Sequence, residues 1–259
     1  LTIAQSTFYR VARLKSLYLI LVICVLDVAA MSFYHDLSLG MEKELMFDCA
    51  LALTMIVGLI SAMIAAFEIP RELREKTAQF ILSKPTGRSA FVWGKFFGVS
   101  AVVVFNTAFI LCGSIIAFRL SFGETPWVPL LQGGVLIAAE ALVLAAIGVL
   151  LSTFLTDTLA VIGQIVFFAI GHSIYMLPHT MDNALTRAVA NIFPNFHHLD
   201  IKTELSHLAL QAMDAGAVSV AADLELSNTF VGMGVAYGGA YALFATGLAV
   251  LLFSRKDIQ

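Results

Sequence analysis

Charge is what this sequence has least of. Of 259 residues only 15 are Lys or Arg and 18 are Asp or Glu, so 13% of the chain is charged while 59% is hydrophobic. A water-soluble domain carries about a quarter charged residues. Half that density excludes a soluble enzyme, a disordered chain, a coiled coil and a nucleic-acid binder. The net charge of -3 selects no partner. Cysteine is scarce too: Cys24, Cys49 and Cys112 lie in or beside apolar runs, with no CxxC spacing and no histidine at ligand distance. That excludes a disulfide framework and a zinc site, and fits small buried apolar residues. No GxxxxGK(S/T) stretch is present, so the chain has no phosphate-cradling loop and any ATP coupling needs a second chain. No GxGxxG follows a strand and no HExxH occurs. The sequence opens on Leu1 rather than Met, so an upstream signal cannot be read from it.

What the chain has instead is long apolar runs. A helix needs roughly 20 mostly apolar residues to cross the hydrocarbon core. Six segments qualify: Leu17 to Phe33, Cys49 to Phe67, Phe96 to Phe118, Val128 to Phe154, Leu159 to Leu177 and Phe230 to Phe253. The fold class is therefore an all-α membrane protein of six transmembrane helices, with both termini on one side. Basic residues in short flanking loops identify the inner side. With both ends inside, the inner segments hold Arg10, Arg13, Lys15, Arg71, Arg74, Lys76, Lys84, Arg88, Lys95, Arg255 and Lys256. The outer segments hold Lys43, Arg119, Arg187 and Lys202. This bias predicts cytoplasmic termini and a cytoplasmic loop over residues 68–95.

Three segments outside the spans are informative. Within residues 1–16, Ile3, Ala4, Thr7, Phe8, Val11 and Ala12 recur at helical spacing opposite Gln5, Ser6, Arg10 and Arg13, an amphipathic elbow helix on the inner leaflet. In the loop over 68–95, Ile69, Leu73, Thr77, Phe80 and Ile81 mark one stripe of a helix that stops before Pro85, with Pro70 suited to its first turn. Ser89 then caps a run with Phe91, Trp93 and Phe97 that re-enters the membrane. The outer loop over 178–229 is too long for an idle connection. It predicts two amphipathic helices, one on Leu185, Ala188, Val189 and Ile192 and one on Leu205, Leu208, Ala209 and Ala212, separated by the turn IFPNFHHLD.

Specific chemistries are weaker. Ser100 and His172 could be read as a membrane-embedded protease pair, but the Gly-x-Ser-x-Gly elbow is broken by Ala101 and Val102. His179, His197, His198 and His207 match no ligand spacing. Asp27 and Glu140 lie inside expected spans and Asp48 at the start of one, where a carboxylate costs roughly 2.5 to 3.5 kcal/mol to insert and so faces the bundle interior or a polar path. Gly94 and Gly98, and again Gly234 and Gly238, recur at the four-residue spacing that permits close helix contact.

The segment EIPRELREKTAQFILSKPTGRSAFVWGKFFG, Glu68 to Gly98, resembles the region between the second and third spans of the permease subunits of type-2 ATP-binding-cassette (ABC) transporters. Glu72, Arg74, Glu75, Thr77, Ile81, Leu82, Ser83, Lys84, Pro85, Arg88, Phe91, Gly94 and Lys95 fall in the family's order. The elbow helix, six spans with both ends inside, the long outer loop and the FSRKDI tail agree with it. The resemblance implies a single permease domain over 1–259, working as a half-transporter beside a second copy or a related chain. It implies a cytoplasmic ATPase subunit that binds ATP and Mg, with no cofactor held by this chain. It places the helix after the second span in a cleft of that ATPase, which makes Glu68, Arg71, Glu72, Arg74, Glu75 and Lys76 the coupling candidates.

It also implies a substrate path lined by the second and fifth spans, with Thr54, Ser61, Gln164, His172 and Ser173 as their few polar side chains and Glu140 nearby. So apolar a path suits export of a hydrophobic or lipid-linked substrate. The expected setting is the inner membrane of a bacterium, with the lipid bilayer and periplasmic or lipoprotein subunits as further partners and no nucleic acid. The alternative is an ion-coupled secondary transporter using Glu140 and Asp27, though no inverted repeat supports it. A third class is a membrane scaffold or sensor whose outer loop binds a protein.

Overall fold

The computed structural model of the protein describes residues 2–12, 22, 42–74, 87–174, 193–201, 203–205 and 226–255, and every regular element among them is helical. In chain order these are α1 (Thr2–Ala12), α2 (Glu42–Arg74), α3 (Arg88–Phe122), α4 (Trp127–Ser152), α5 (Asp157–Ser173), a 3-10 turn (Phe196–Leu199) and α6 (Asn228–Ser254). Helices are what the composition demands, because in hydrocarbon each backbone N–H and C=O must be bonded within its own segment. Four of them, α2, α3, α4 and α6, are long and apolar enough to cross a membrane. The fifth expected span is α5, a shorter apolar helix of 17 residues. The first, Leu17 to Phe33, lies outside the described residues except for Val22.

Two boundaries differ from expectation, both where the expected loop 68–95 begins and ends. α2 does not stop near Phe67 and restart at Pro70; it runs 33 residues without interruption, with Pro70 inside it. Proline in a helix interior removes one hydrogen bond to the carbonyl four residues earlier, here Ala66. The apolar burial of Ala65, Ala66 and Ile69 holds the helix together across that gap. At the other end, α3 starts at Arg88 with Gly87 as its N-cap, so Ser89 lies inside the first turn and is not the cap. Its far end stops where Gly123, at φ 72°, donates its N–H to the Arg119 carbonyl, the left-handed finish that glycine tolerates best.

α4 is the axis of the bundle. In its most apolar stretch 78% of the residues are buried inside the protein, against 28% for α6, and it packs on α2, α3, α5 and α6. The outward faces carry Phe97, Phe105, Phe109 and Ile116 on α3, Ile162, Ile165 and Val166 on α5, and Leu243, Phe244 and Leu251 on α6. Large apolar side chains exposed on all three helices suit lipid rather than water.

Both glycine pairs are helix seats. α1 crosses α3 at Gly94 and Gly98. A Cβ at Gly98 would lie 2.6 Å from Thr7 Cβ and 2.9 Å from the Ala4 carbonyl oxygen, and one at Gly94 2.8 Å from Ile3 Cβ. The elbow helix therefore docks on the protein itself. α6 crosses α4 at Gly234 and Gly238, where a Cβ would lie 2.7 Å from Leu136 Cδ2 and 3.3 Å from Ala139 Cβ respectively. Of the expected outer helices, Leu205 is described and buried; Leu185, Ala188, Val189, Ile192, Leu208, Ala209 and Ala212 lie outside the described residues.

Replacing Gly98 by valine should lift α1 off α3 at a cost of about 1–3 kcal/mol, the usual range for overpacking a tight contact. The check is thiol labelling of a Thr7→Cys reporter in a background lacking the native cysteines. Thr7 is buried, so the reporter should be protected when Gly98 is present and reactive in the Gly98→Val variant; protection in both would refute the seat.

Candidate functional site

The first concentration of chemistry lies where α1, the last turns of α2 and the first turns of α3 meet. Ser61, Ala65, Glu68 and Glu72 follow one another at helical spacing along the buried face of α2. That spacing aims both carboxylates at Lys95 on α3. Lys95 Nζ donates to Glu68 Oε2 at 2.9 Å and to Glu72 Oε1 at 2.6 Å. Arg10 of α1 donates to the same Glu72 oxygen. Lys95 is fully buried, and Glu68 and Glu72 are 2% and 1% exposed. The Lys95 ammonium also lies 5.9 Å from the centre of the Phe91 ring, within cation–π range. Among the described residues two cations thus face two anions, the kind of pairing under which charge is tolerated away from water.

The arrangement has apolar and backbone supports. Phe91 stacks on Phe253 of α6 at 5.5 Å. Arg88, at the start of α3, donates to the Ser254 carbonyl at 2.8 Å, so a cation sits on the C-terminal end of α6, where the helix dipole favours it. The start of α3, the end of α2, α1 and the end of α6 thus converge at one end of the bundle.

The second concentration lies on the inner faces of α4 and α5. Glu140 is buried on α4, with Oε1 3.7 Å from His172 Nε2 on α5. That is beyond hydrogen-bond reach, and Oε1 has no hydrogen-bond partner among the described residues. The recess beside it is lined by Met55 and Leu59 of α2, Ile137, Ala141 and Leu144 of α4, and Phe168 of α5. His172 packs against Phe168 at 4.5 Å and against Phe196 of the 3-10 turn at 5.5 Å. Phe196 is fully buried in the space that Gly171 leaves open, where a Cβ would lie 2.4 Å from its ring. The turn is held by the Asn195 side chain accepting from His197 N–H and by Asn195 N–H donating to the Tyr237 hydroxyl of α6.

Two of the remaining polar candidates, Ser61 and Gln164, tie helices together. Ser61 accepts a hydrogen bond from Asn106 Nδ2 of α3 at 2.8 Å. Gln164 is fully buried and donates to the carbonyls of Ala62 (3.1 Å) and Leu144 (2.9 Å), tying α5 to α2 and α4. Thr54 bonds back to the Ala50 carbonyl of its own helix. Ser173 is exposed at the end of α5. Of the coupling candidates, Glu68 and Glu72 face inward and Arg71 is half-buried; the side chain of Arg74 and the whole of Glu75 and Lys76 lie outside the described residues, as does Asp27. His197 and His198 lie side by side with ring centres 6.3 Å apart, and no group of three metal-ligating side chains occurs among the described residues.

Sequence reasoning missed Lys95 and Arg10 as partners of the glutamates. A signal existed: one lysine inside an apolar run, opposite two carboxylates four residues apart on a stripe that also carries Ser61. It also missed Gln132, whose side-chain amide donates to the Leu226 carbonyl (2.9 Å) and accepts from the Leu226 N–H (3.0 Å), pinning the approach to α6 against α4. Nothing local marks that pair, which is 94 residues apart in sequence.

Comparison with known sequences gives one family match, described as ABC-2 family transporter protein, over residues 35–254. No curated protein matches the sequence.

Lys95→Met alone should destabilise the protein by about 3–5 kcal/mol, since it takes from two buried carboxylates the cation that they share. Adding Glu68→Gln restores charge balance and should recover most of that loss. Thermal unfolding of both variants in one detergent measures the difference; equal melting temperatures would refute the electrostatic account.

Proposed function

The chain belongs to the ABC-2 transporter family, and from that premise we propose that it is the permease subunit of an exporter for a hydrophobic or lipid-linked substrate, coupled to a separate ATPase through residues 68–95. At family level it is a membrane permease, and ATP hydrolysis resides in a partner subunit in that family generally. The observation that carries the reading is the family match, which spans most of the chain. The absence of a phosphate-cradling loop from the sequence fits the same division of labour.

Coupling through residues 68–95 is supported by the geometry of the neighbouring helices. α2 and α3 are 33 and 35 residues long, about 50 Å each at 1.5 Å per residue, which exceeds a hydrocarbon core of about 30 Å. Helices of that length can extend past the apolar zone at the ends that flank residues 75–87. With Glu68 and Glu72 turned inward, the docking surface on this reading comprises Arg71, Arg74, Glu75 and Lys76. ATP and Mg stay on the ATPase, and the chain works with a second permease copy in a bacterial inner membrane.

Apolar surroundings support the substrate class. The recess between α2, α4 and α5 is apolar except for Glu140, and Thr54, Ser61 and Gln164 are occupied by bonds to other parts of the chain. Little is left there to replace the water shell of a small ion. The family match lends nothing to the ion-coupled alternative.

Purification from native membranes in mild detergent should bring down a stoichiometric P-loop ATPase with ATP hydrolysis. Reversing the charges of Arg74, Glu75 and Lys76 together should release that subunit while leaving membrane insertion intact. A chain that purifies alone from membranes containing the ATPase, or a charge-reversed variant that retains it, would sink the coupling assignment.

A further inference from the structure

Glu68 and Glu72 have almost no surface to offer another protein, so docking does not account for them. Stability does not account for them either, because a buried ion network is commonly matched or surpassed by apolar side chains of the same volume. What the cluster does provide is a directional connection. Lys95 holds two carboxylates one turn apart on α2, so α2 cannot slide along its axis past α3 without stretching one bond as it compresses the other. Arg10 adds α1 to the same Glu72 oxygen, and α1 is already seated on the glycines flanking Lys95. The next polar link between α2 and α3, Ser61 with Asn106, lies seven residues back along α2, about 10 Å away. Between the two links the buried side chains of α2 and α3 are largely apolar, and such contacts set no fixed register along the helix axis.

We propose that Arg10, Glu68, Glu72 and Lys95 form a positioning unit that makes the end of α2, the start of α3 and α1 move as one body when the ATPase acts. It thereby carries the stroke from residues 68–95 to the far ends of the helices. This rests on the ATP-driven reading above and adds to it the place where motion is transmitted, inside the permease rather than at its contact with the ATPase. The unit touches neither nucleotide nor substrate.

The test uses the permease–ATPase complex from native membranes, with spin labels at Leu120 on α3 and Thr229 on α6. Both positions are exposed and lie at the ends of their helices away from the cluster. Distance distributions are recorded without nucleotide and after trapping with ATP and orthovanadate, on complexes in which bound nucleotide is verified. The wild-type distance should shift on trapping. Glu68→Gln with Lys95→Met, charge-balanced and close in shape, should trap nucleotide and lose the shift, whereas Lys95→Arg, which keeps a cation between two carboxylates, should retain it. A full shift in the double variant overturns the proposal. If the double variant does not fold, Glu68→Gln alone, which leaves Lys95 one carboxylate and so removes the opposed pair, decides: a lost shift with nucleotide trapped supports the unit, and a full shift overturns it. A wild-type complex that traps nucleotide without any shift, or binds no ATPase, removes the ATP-driven reading itself and the inference with it, a result distinct from a shift that survives the double variant.

Discussion

A charge removed from water must find its opposite, and in this protein that requirement fixes where three helices meet. Lys95 is fully buried and bonded to both Glu68 and Glu72, with Arg10 a second cation on Glu72. Lipid-facing helices gain little from apolar contact alone, because the surrounding tails are equally apolar. Order in such a bundle depends on the few groups that cannot tolerate lipid. The cluster sets the register of α2 against α3, and the same logic recurs at Gln164, which joins α5 to α2 and α4, and at Gln132, which holds the stretch of chain before α6.

Close approach is the second determinant. Gly94 and Gly98 let α1 come near enough for Arg10 to reach Glu72, and Gly234 and Gly238 bring α6 onto α4. Small residues supply the proximity and polar residues the specificity. Neither suffices alone: glycines without the ion cluster would leave α1 free to slide, and the cluster without the glycines would be out of Arg10's reach.

The sequence made the helical class and four of the spans legible, because runs of 20 apolar residues have few other readings. The glycine pairs were legible as contact sites for the same reason, though their partners were not. The division at Pro70 was misread since proline is both a good first-turn residue and an interior residue that enough burial can accommodate; only the packing of Ala65, Ala66 and Ile69 separates the two. Glu68 and Glu72 stood out as charges in the expected loop, yet charge on a helix does not reveal which way it faces. That needed Lys95, 27 and 23 residues further on, to be seen across the interface. Ser61 and Gln164 stood out as polar side chains in apolar spans, and their bonds to neighbouring helices depend on the third dimension entirely.

Pro70 falls between the two glutamates that Lys95 holds, at the one turn of α2 where a backbone bond is absent. From there to Glu42 the helix extends 28 residues, about 42 Å at 1.5 Å per residue. A rod of that length tilted by about 5° at its clamped end carries its distant tip roughly 4 Å sideways, nearly the width of a methyl group. The clamp across the proline would thus keep the missing backbone bond from becoming a hinge, and the long uninterrupted helix beyond it would act as a lever arm that magnifies small displacements.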